Sequence, residues 1–451
     1  MNILIVGNGF DLSHYLPTKY DHFMVAMEAI ENWDVSKGDM SFDNLFSALY
    51  EKEDYFFGYT KAMYKTDELK ISVDQIKELQ EKLKENVWYQ YFSDHVREVK
   101  TWIDFEQKIE QALKGVSELF NQISTFYLTH NKLNTEVIEI EGKKAKTLGE
   151  AIFLNERNSQ ILSIFRLVNK KYYKYEIDES GNRSRFETNK TTDFFKYFIC
   201  ETYVSNFIGY NSYNDEEAIN ILYKSLNVLI EIFNYYLMLV ESLKLIKKLN
   251  ELPLVVDKIY SFNYTNIFGR MTGFEEVVFL HGKSGEKQSI VLGVSDLKDE
   301  NLIKLKSYGF TKYHQKIMKQ IGFQFLSDNK DIKKMIDSFW SKGKALSKKV
   351  RAENQICINI WGHSLDQSDE NYIKEIFSFN LKKDENIRVR IYYFDDSSKF
   401  SIISNLLAIL GKEKMEKWVR EDWLTFQPNP NIAEINGIKP LDLPKSFSKV
   451  S

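Results

Sequence analysis

The sequence has few cysteines, few prolines and no marked excess of either charge, and each shortage excludes a class of protein. Its two cysteines, Cys200 and Cys357, are too few for a disulfide framework or for a four-cysteine zinc site within one chain. We therefore expect a reducing environment. Lysine and arginine (61) nearly balance aspartate and glutamate (64), which gives no electrostatic signature of nucleic-acid binding. We expect no nucleic-acid partner.

Long hydrophobic runs are also missing. The longest apolar stretch, 226–240, is interrupted by Glu231 and Asn234 and is shorter than the ~20 residues that cross a bilayer. It is typical of a buried helix. At the N-terminus, an acidic residue follows a very short apolar run, which does not fit a signal peptide. We expect a cytoplasmic protein without a membrane partner.

The order of apolar patterns predicts an α/β fold. Asn2–Val6 is typical of a buried strand that ends in a glycine turn. Helical patterns dominate from about residue 20 to 250, with hairpins predicted at 136–146 and 172–186. Strand-length runs then alternate with helical patterns, which favours a mostly parallel sheet. These runs are 258–262, 277–280, 289–292, 355–361 and 387–394.

A lone N-terminal strand is not stable by itself, so we expect it to join the later sheet. The sequence therefore predicts a Rossmann-like, mostly parallel sheet with a large helical insertion. We place a discontinuous nucleotide-binding core at 1–30 and 251–400, a mainly helical insertion at 31–250 and a C-terminal helical extension at 401–451.

The first candidate motif is the glycine turn after the N-terminal strand. Glycines there let the backbone approach a pyrophosphate, and the next helix N-terminus presents N–H groups to the anion. The third glycine of the dinucleotide fingerprint is missing, so an ordinary capped turn explains the motif equally well. The candidate ligand contacts are Gly7, Asn8, Gly9, Phe10 and Asp11.

Polar residues follow two later strands, where open α/β sheets bind ligands. Histidine titrates near neutral pH and can act as a general base, which makes the His-Gly pair after the second strand a candidate catalytic element. Strand-end caps and a structural histidine are the alternative. The predicted catalytic residues are Asn263 and His281, and the predicted ligand contacts are Ser261, Tyr264, Thr265 and Gly282.

A further polar cluster follows the predicted strand 355–361. Its serine and backbone N–H groups are suited to phosphate, and its aspartates to ribose hydroxyls. A helix cap with acidic residues near the positive end of the dipole is the alternative. The candidates are Gly362, His363, Ser364, Asp366 and Asp369.

Within the predicted insertion, the segment WIDFE offers carboxylates to the site. Asp104, Glu106 and Glu110 are the candidates, although carboxylates in a first helical turn are usually solvated caps. None of the seven histidines pairs with another at the HxxxH spacing of a helical metal site. We expect no metal.

Together these segments resemble the AbiH family of bacterial phage abortive-infection proteins. The resemblance implies an antiphage effector that is silent until infection, with a phage-derived trigger, and we also expect a homo-oligomer. The matching segments follow one another across nearly the whole chain and are GNGFDLSHYLPTKYDHF, WIDFE, SFNYTNIF, FLHG, FTKYHQKI and WGHSLDQSD.

The core is also similar to the sirtuin-like NAD-consuming fold, in which the same motifs follow in the same order. In those relatives an Asn and a His flank the nicotinamide ribose, which implies this role for Asn263 and His281. A Gly-x-Ser-Leu turn holds the adenosine half there, matched here by Gly362 and Ser364. Two cysteines cannot form the zinc module of the deacylases, so the resemblance implies NAD hydrolysis, with Thr265 where many relatives have an Asp.

NAD is thus expected as the substrate of an NAD glycohydrolase that releases nicotinamide and ADP-ribose. Cleavage resembles glycoside chemistry and passes through an oxocarbenium-like state. Asn263 would align the ribose, His281 would act as the base, and the turn Gly7–Gly9 would bind the phosphates. A nucleotide-binding sensor that uses the pocket without turnover is the alternative. A nucleic-acid-degrading toxin lacks support from charge or from a carboxylate-metal motif.

Overall fold

A six-stranded parallel sheet lies at the centre of the computed structural model. The described residues are 1–94, 102–130, 139–140, 143–144, 155–177, 183–187, 194–199, 204–207, 210–249, 254–274, 276–335, 355–380 and 387–444. The sheet strands are β1 (Asn2–Val6), β2 (Lys258–Ser261), β3 (Val277–Phe279), β4 (Ile356–Trp361), β5 (Ile387–Tyr393) and β6 (Leu424–Pro428).

The strands lie in the order β3-β2-β1-β4-β5-β6. This is the strand order of the Rossmann fold, and the order reverses between β1 and β4. The register aligns the carboxyl ends: Val6 pairs with Ser261 on one side and with Trp361 on the other, and Ser261 pairs with Phe279. The predicted Rossmann-like sheet, including its N-terminal strand, is confirmed.

β1 is buried on both faces because its side chains alternate between two cores. Leu4 and Val6 pack in the cluster that includes the helices of 31–250. Ile3 and Ile5 pack with the helices that follow β4 and β5. A strand covered on both sides reads as a continuous apolar run, as the sequence of β1 does.

Helices surround this sheet and make up most of the described part of 31–250. The described α-helices are Asn8–Ser13, Tyr20–Glu31, Phe42–Phe46, Asp54–Met63, Val73–Glu85, Val87–Asp94, Trp102–His130, Glu156–Ile164, Asp215–Ser242, Ile267–Thr272, Glu300–Lys304, Lys312–Lys319, Glu370–Ile376, Asp396–Leu410, Lys412–Arg420 and Ile432–Ile435.

Short antiparallel strands lie between these helices. Both predicted hairpins are confirmed as strand pairs, and residues 178–182 of the second turn lie outside the described residues. The strands outside the central sheet are Met40–Ser41, Lys70–Ile71, Glu139–Ile140, Lys143–Lys144, Val168–Ile177, Arg183–Glu187, Phe194–Ile199, Val204–Phe207 and Tyr210–Tyr213.

Two predictions of secondary structure need correction. The segment 401–451 is more than a helical extension, because β6 lies within it and pairs with β5. Residues 290–292 of the apolar run 289–292 are buried, but the run is not a strand. The Leu292 N–H donates to Gln315 Oε1 over 3.0 Å, and Gln315 Nε2 donates to the Leu292 carbonyl oxygen over 2.9 Å. The side chain of Gln315 thus makes the hydrogen bonds that a neighbouring strand would make. The domain boundaries stay predictions.

The apolar run 226–240 lies in the helix Asp215–Ser242, with Leu226, Leu229 and Ile230 fully buried, as predicted. Among the described residues, no helix is both long enough and apolar enough to cross a membrane.

Candidate functional site

A cavity of about 350 Å³ lies where the carboxyl ends of β1, β2 and β4 meet. Its size falls within the ~300–1,000 Å³ of small-molecule sites, and its position is where open α/β sheets bind ligands. Helices from 31–250 close the other side. Most of the predicted site residues line it, namely Gly7, Asn8, Asp11, Asn263, Tyr264, Thr265, His281, Gly362, His363, Ser364 and Asp369.

The remaining predicted contacts support the cavity from behind. Phe10 is buried, and its ring packs edge-on against Trp361 at 5.1 Å. Gly9 N–H donates to Gly362 O over 2.8 Å. A side chain at Gly362 would collide with the Phe10 backbone, since a Cβ there would lie 2.0 Å from Phe10 N. The two glycine turns are therefore packed directly against each other.

The other three predicted site residues stabilise the backbone conformation next to the cavity. Ser261 Oγ accepts the Asn263 N–H at 3.1 Å, and Asp366 Oδ1 accepts the Ser368 N–H at 2.9 Å. Gly282 has a φ of +82°, and a Cβ there would lie only 1.9 Å from the backbone of Ser289. Glycine is required at this position because L side chains disfavour this φ and no space is left.

The N–H groups of the first glycine turn are largely used within the protein. Gly7 N–H donates to Trp361 O at 3.0 Å, and Phe10 N–H donates to Gly7 O at 2.8 Å. Gly9 N–H also has a carbonyl partner, as described above. In this conformation these three groups are not free to bind a phosphate, so the turn shapes the cavity more than it supplies donors.

Asp11 and Asn263 form a buried contact on the cavity wall. Asn263 Nδ2 donates to Asp11 Oδ1 over 2.8 Å, and Thr265 Oγ1 donates to Asp11 Oδ2 over 2.5 Å. Burial raises the pKa of Asp11 to about 7, while the two hydrogen bonds act in the opposite direction. The side-chain nitrogen of Asn263 faces Asp11. The side-chain oxygen Oδ1 of Asn263 is therefore the atom left to accept a hydrogen bond from a ligand.

Asp369 lies between two histidines. Asp369 Oδ1 is 3.0 Å from His281 Nε2, and Asp369 Oδ2 is 3.3 Å from His363 Nε2. The Leu365 N–H donates to His363 Nδ1 over 2.9 Å, so the proton of the neutral His363 ring is on Nε2 and faces the carboxylate. One carboxylate therefore lies against two rings that line the cavity, although its contact with His281 Nε2 lacks hydrogen-bond geometry.

The protonation states follow from burial and from neighbouring charges. Burial lowers the pKa of His281 to about 4, with Asp369 opposing this effect and Lys312 adding to it. Burial alone would raise the pKa of Asp369, but His281 and Lys312 hold it well below its ordinary value. Near neutral pH, His281 is therefore neutral and Asp369 is ionised.

Lys312 and Glu106 form the remaining charged pair. Lys312 Nζ lies 2.5 Å from Glu106 Oε1, and both side chains are largely buried. Burial raises the pKa of Glu106 to about 7 although Lys312 opposes the shift. Of the three candidate carboxylates in and after WIDFE, Glu106 lines the cavity and Asp104 does not, whereas Glu110 pairs with Lys114 at 3.1 Å and is 44% exposed.

Lys312 could not be recognised from the sequence because its helix, Lys312–Lys319, buries its polar face and exposes its apolar face. Lys312, Gln315 and Lys316 are buried. Tyr313 and Met318 are 64% and 67% exposed. Apolar faces normally pack inward, so periodicity placed the lysines outside. The usable signal was the polar i, i+3, i+4 spacing.

Within the part of the chain that the structure describes, one group outside the predicted site has the composition of a metal site. Asp21, His22 and Glu53 bring possible ligand atoms within 4.8 Å of one another. Lys19 pairs with Glu53, and Lys52 Nζ lies 3.4 Å from Asp21 Oδ2. These ammonium groups already balance the carboxylates, so we assign no metal to the group.

Comparison with known proteins identifies the family of the chain. The family model described as bacteriophage abortive infection AbiH matches residues 3–393. No curated protein and no solved structure matches. The family match runs from β1 to the end of β5 and includes every residue of the cavity wall. The chain therefore belongs to the AbiH family of bacteriophage abortive-infection proteins.

Proposed function

We propose that this protein is an antiphage effector that hydrolyses NAD to nicotinamide and ADP-ribose. The observation that carries the proposal is that Asn263 and His281, at the ends of neighbouring strands, line one cavity and each lie within 3.0 Å of a buried carboxylate. The strand order of the sheet supports a nucleotide as the ligand, because Rossmann sheets bind nucleotides at this edge.

The proposed reaction breaks the bond between the ribose C1′ and the nicotinamide nitrogen. The electron pair of that bond leaves with nicotinamide, which becomes neutral and needs no proton. The Asn263 carbonyl accepts a hydrogen bond from a ribose hydroxyl and aligns the sugar, since its amide nitrogen is held by Asp11. Neutral His281, which lies beside Asp369, contacts the same ribose. Water then adds to C1′ and loses one proton to the protein.

The test measures nicotinamide release, NAD binding and melting temperature on the same samples. The samples are the purified full chain and phage-infected cells that express it, with the variants Asn263→Ala and His281→Ala. Each variant should keep at most about 1% of the wild-type rate if orientation or base catalysis contributes the usual 10²- to 10⁴-fold. His314→Ala is a control, because His314 does not line the described cavity.

Each outcome has one interpretation. Unchanged nicotinamide release in both variants rejects the assigned roles. NAD binding without release, in infected cells as well as in the purified chain, rejects hydrolysis and favours a nucleotide-binding sensor. A large fall in melting temperature with a proportionate loss of rate shows a structural role for the replaced side chain.

A further inference from the structure

Glu106 is the carboxylate that the helix Trp102–His130 contributes to the cavity wall. Its side chain is 15% exposed, and its Oε1 lies 2.5 Å from the ammonium of Lys312, which is 6% exposed. Two helices thus fix this carboxylate from different sides. It lies in the same cavity as Asn263 and His281.

The three carboxylates of the cavity differ in what their oxygens contact. Both oxygens of Asp11 accept hydrogen bonds, from Asn263 and Thr265. Both oxygens of Asp369 face histidine nitrogens. Glu106 lines the cavity and contacts the ammonium of Lys312 through Oε1. A carboxylate has about four lone-pair sites, so Glu106 can contact Lys312 and still take a proton from a water molecule in the cavity.

Burial makes Glu106 a stronger base than His281, although the charge of Lys312 opposes the effect on Glu106. Burial raises its pKa to about 7, whereas burial lowers the pKa of His281 to about 4. A general base works best when its pKa is close to the working pH. The ionisable groups that face Glu106 are Lys312, Lys316, Asp366, Asp369 and Tyr264.

The contrast with Asp369 points the same way. The pKa of Asp369 is held well below its ordinary value, so Asp369 stays ionised while Glu106 exchanges its proton near neutral pH. Sites that cleave glycosidic bonds likewise hold two carboxyl groups at different pKa values.

We propose that Glu106 is the general base that activates the attacking water and that Lys312 positions its carboxylate. The inference rests on the proposed hydrolysis of NAD. The water oxygen bonds to the ribose C1′ as one of its protons passes to Glu106, and the C1′–N bond breaks with its electron pair on nicotinamide. Glu106 then releases the proton to solvent, which regenerates the carboxylate.

The main variant is Glu106→Gln, which keeps the volume and an oxygen that can accept from Lys312. We expect the rate of nicotinamide release to fall roughly 10²- to 10⁴-fold while NAD still binds. The wild-type rate should rise with pH through about 7, and the variant should lose the part of this rise that ionisation of Glu106 causes. Glu110→Gln, one turn further along the same helix and paired with Lys114, is the matched control and should leave both the rate and the pH profile unchanged.

Rescue by azide separates a base from a structural residue. Azide needs no deprotonation to attack C1′, so it should restore nicotinamide release in Glu106→Ala and form an azide adduct of ADP-ribose. An unchanged rate and pH profile in Glu106→Gln, or no rescue of an inactive Glu106→Ala, overturns the inference and leaves NAD hydrolysis standing. A wild type that never releases nicotinamide overturns both.

Discussion

The side-chain amide of Asn263 donates to Asp11 Oδ1 over 2.8 Å, which joins the end of β2 to the first turn after β1. Thr265 binds the second oxygen of the same carboxylate. The two segments are more than 250 positions apart in the sequence, and the parallel register of β1 and β2 brings them together. Asp11 therefore fixes the orientation of a residue to which we assign a catalytic role.

Asp11→Ala should release Asn263 and Thr265 from this contact. A misplaced alignment group costs ~10²-fold in rate, so we expect a comparable fall in kcat with a smaller change in KM. Nicotinamide release at several NAD concentrations measures this effect. Thr265→Val removes one of the two donors and should lie between wild type and Asp11→Ala. A kcat that does not change in Asp11→Ala would show that Asn263 needs no carboxylate for its orientation.

Asp11 also predicts how stability depends on pH. Burial raises its pKa from 3.8 to about 7 in the folded chain, against the effect of Thr265 and Asn263. The folded chain thus keeps a proton that the unfolded chain loses between these values. The contribution of this group to stability is complete below about pH 4 and is lost as the pH rises through 7.

Asp11→Asn carries no ionisable group at this position, so its stability should not fall for this reason as the pH rises through 7. The free energy of unfolding of the wild type, relative to Asp11→Asn, should fall by on the order of 4 kcal/mol between pH 4 and 8. Urea unfolding of both proteins at several pH values measures the difference. A difference that stays constant across this range would contradict the raised pKa.

The sheet could be predicted from the sequence because its strands are short apolar runs that end in glycine or polar residues. This pattern indicates a buried strand followed by a tight turn, and both features depend on residues that are close together in the sequence. The edge strand β6 was missed, since Leu424–Pro428 is mostly exposed and ends in proline. The run 289–292 was predicted as a strand because burial alone gives the same apolar pattern.

The candidate site was predictable only in part, for a different reason. The residues Asn263 and His281 follow strands, so their meeting at one edge follows from parallel topology. The contacts of Glu106 and Lys312 depend on how two helices pack over the sheet. Such tertiary packing leaves little trace in the sequence, and in Lys312–Lys319 it reverses the usual burial of apolar residues.

Gly362 is predicted to tolerate no side chain. Its φ is +74°, and a Cβ would lie 2.0 Å from Phe10 N and 2.3 Å from Gly9 C, both of which are backbone atoms. Gly362→Ala should destabilise the fold by at least ~3 kcal/mol or prevent soluble expression.

Gly273→Ala is the matched control for Gly362→Ala. Gly273 is also left-handed, with a φ of +76°, but nothing lies within 4 Å of a Cβ there. Gly273→Ala should therefore lower the free energy of unfolding only through backbone strain, by ~1–2 kcal/mol. Chemical unfolding compares the two variants. Equal losses would mean that the two glycine turns can move apart to accept a methyl group.

The final prediction concerns Asp369, whose carboxylate faces His281 and His363 and lies near the charge of Lys312. Asp369→Ala leaves two buried ring nitrogens and an ammonium group without this partner. Breaking a buried charge cluster from one side costs ~3–5 kcal/mol, and we expect a loss of stability of this size. Asp366→Ala, which mainly removes the cap on Ser368 N–H, should cost ~1 kcal/mol. Urea unfolding at pH 7 separates the two predictions, because equal losses would show that Asp369 acts as an ordinary helix cap rather than as the centre of a buried charge cluster.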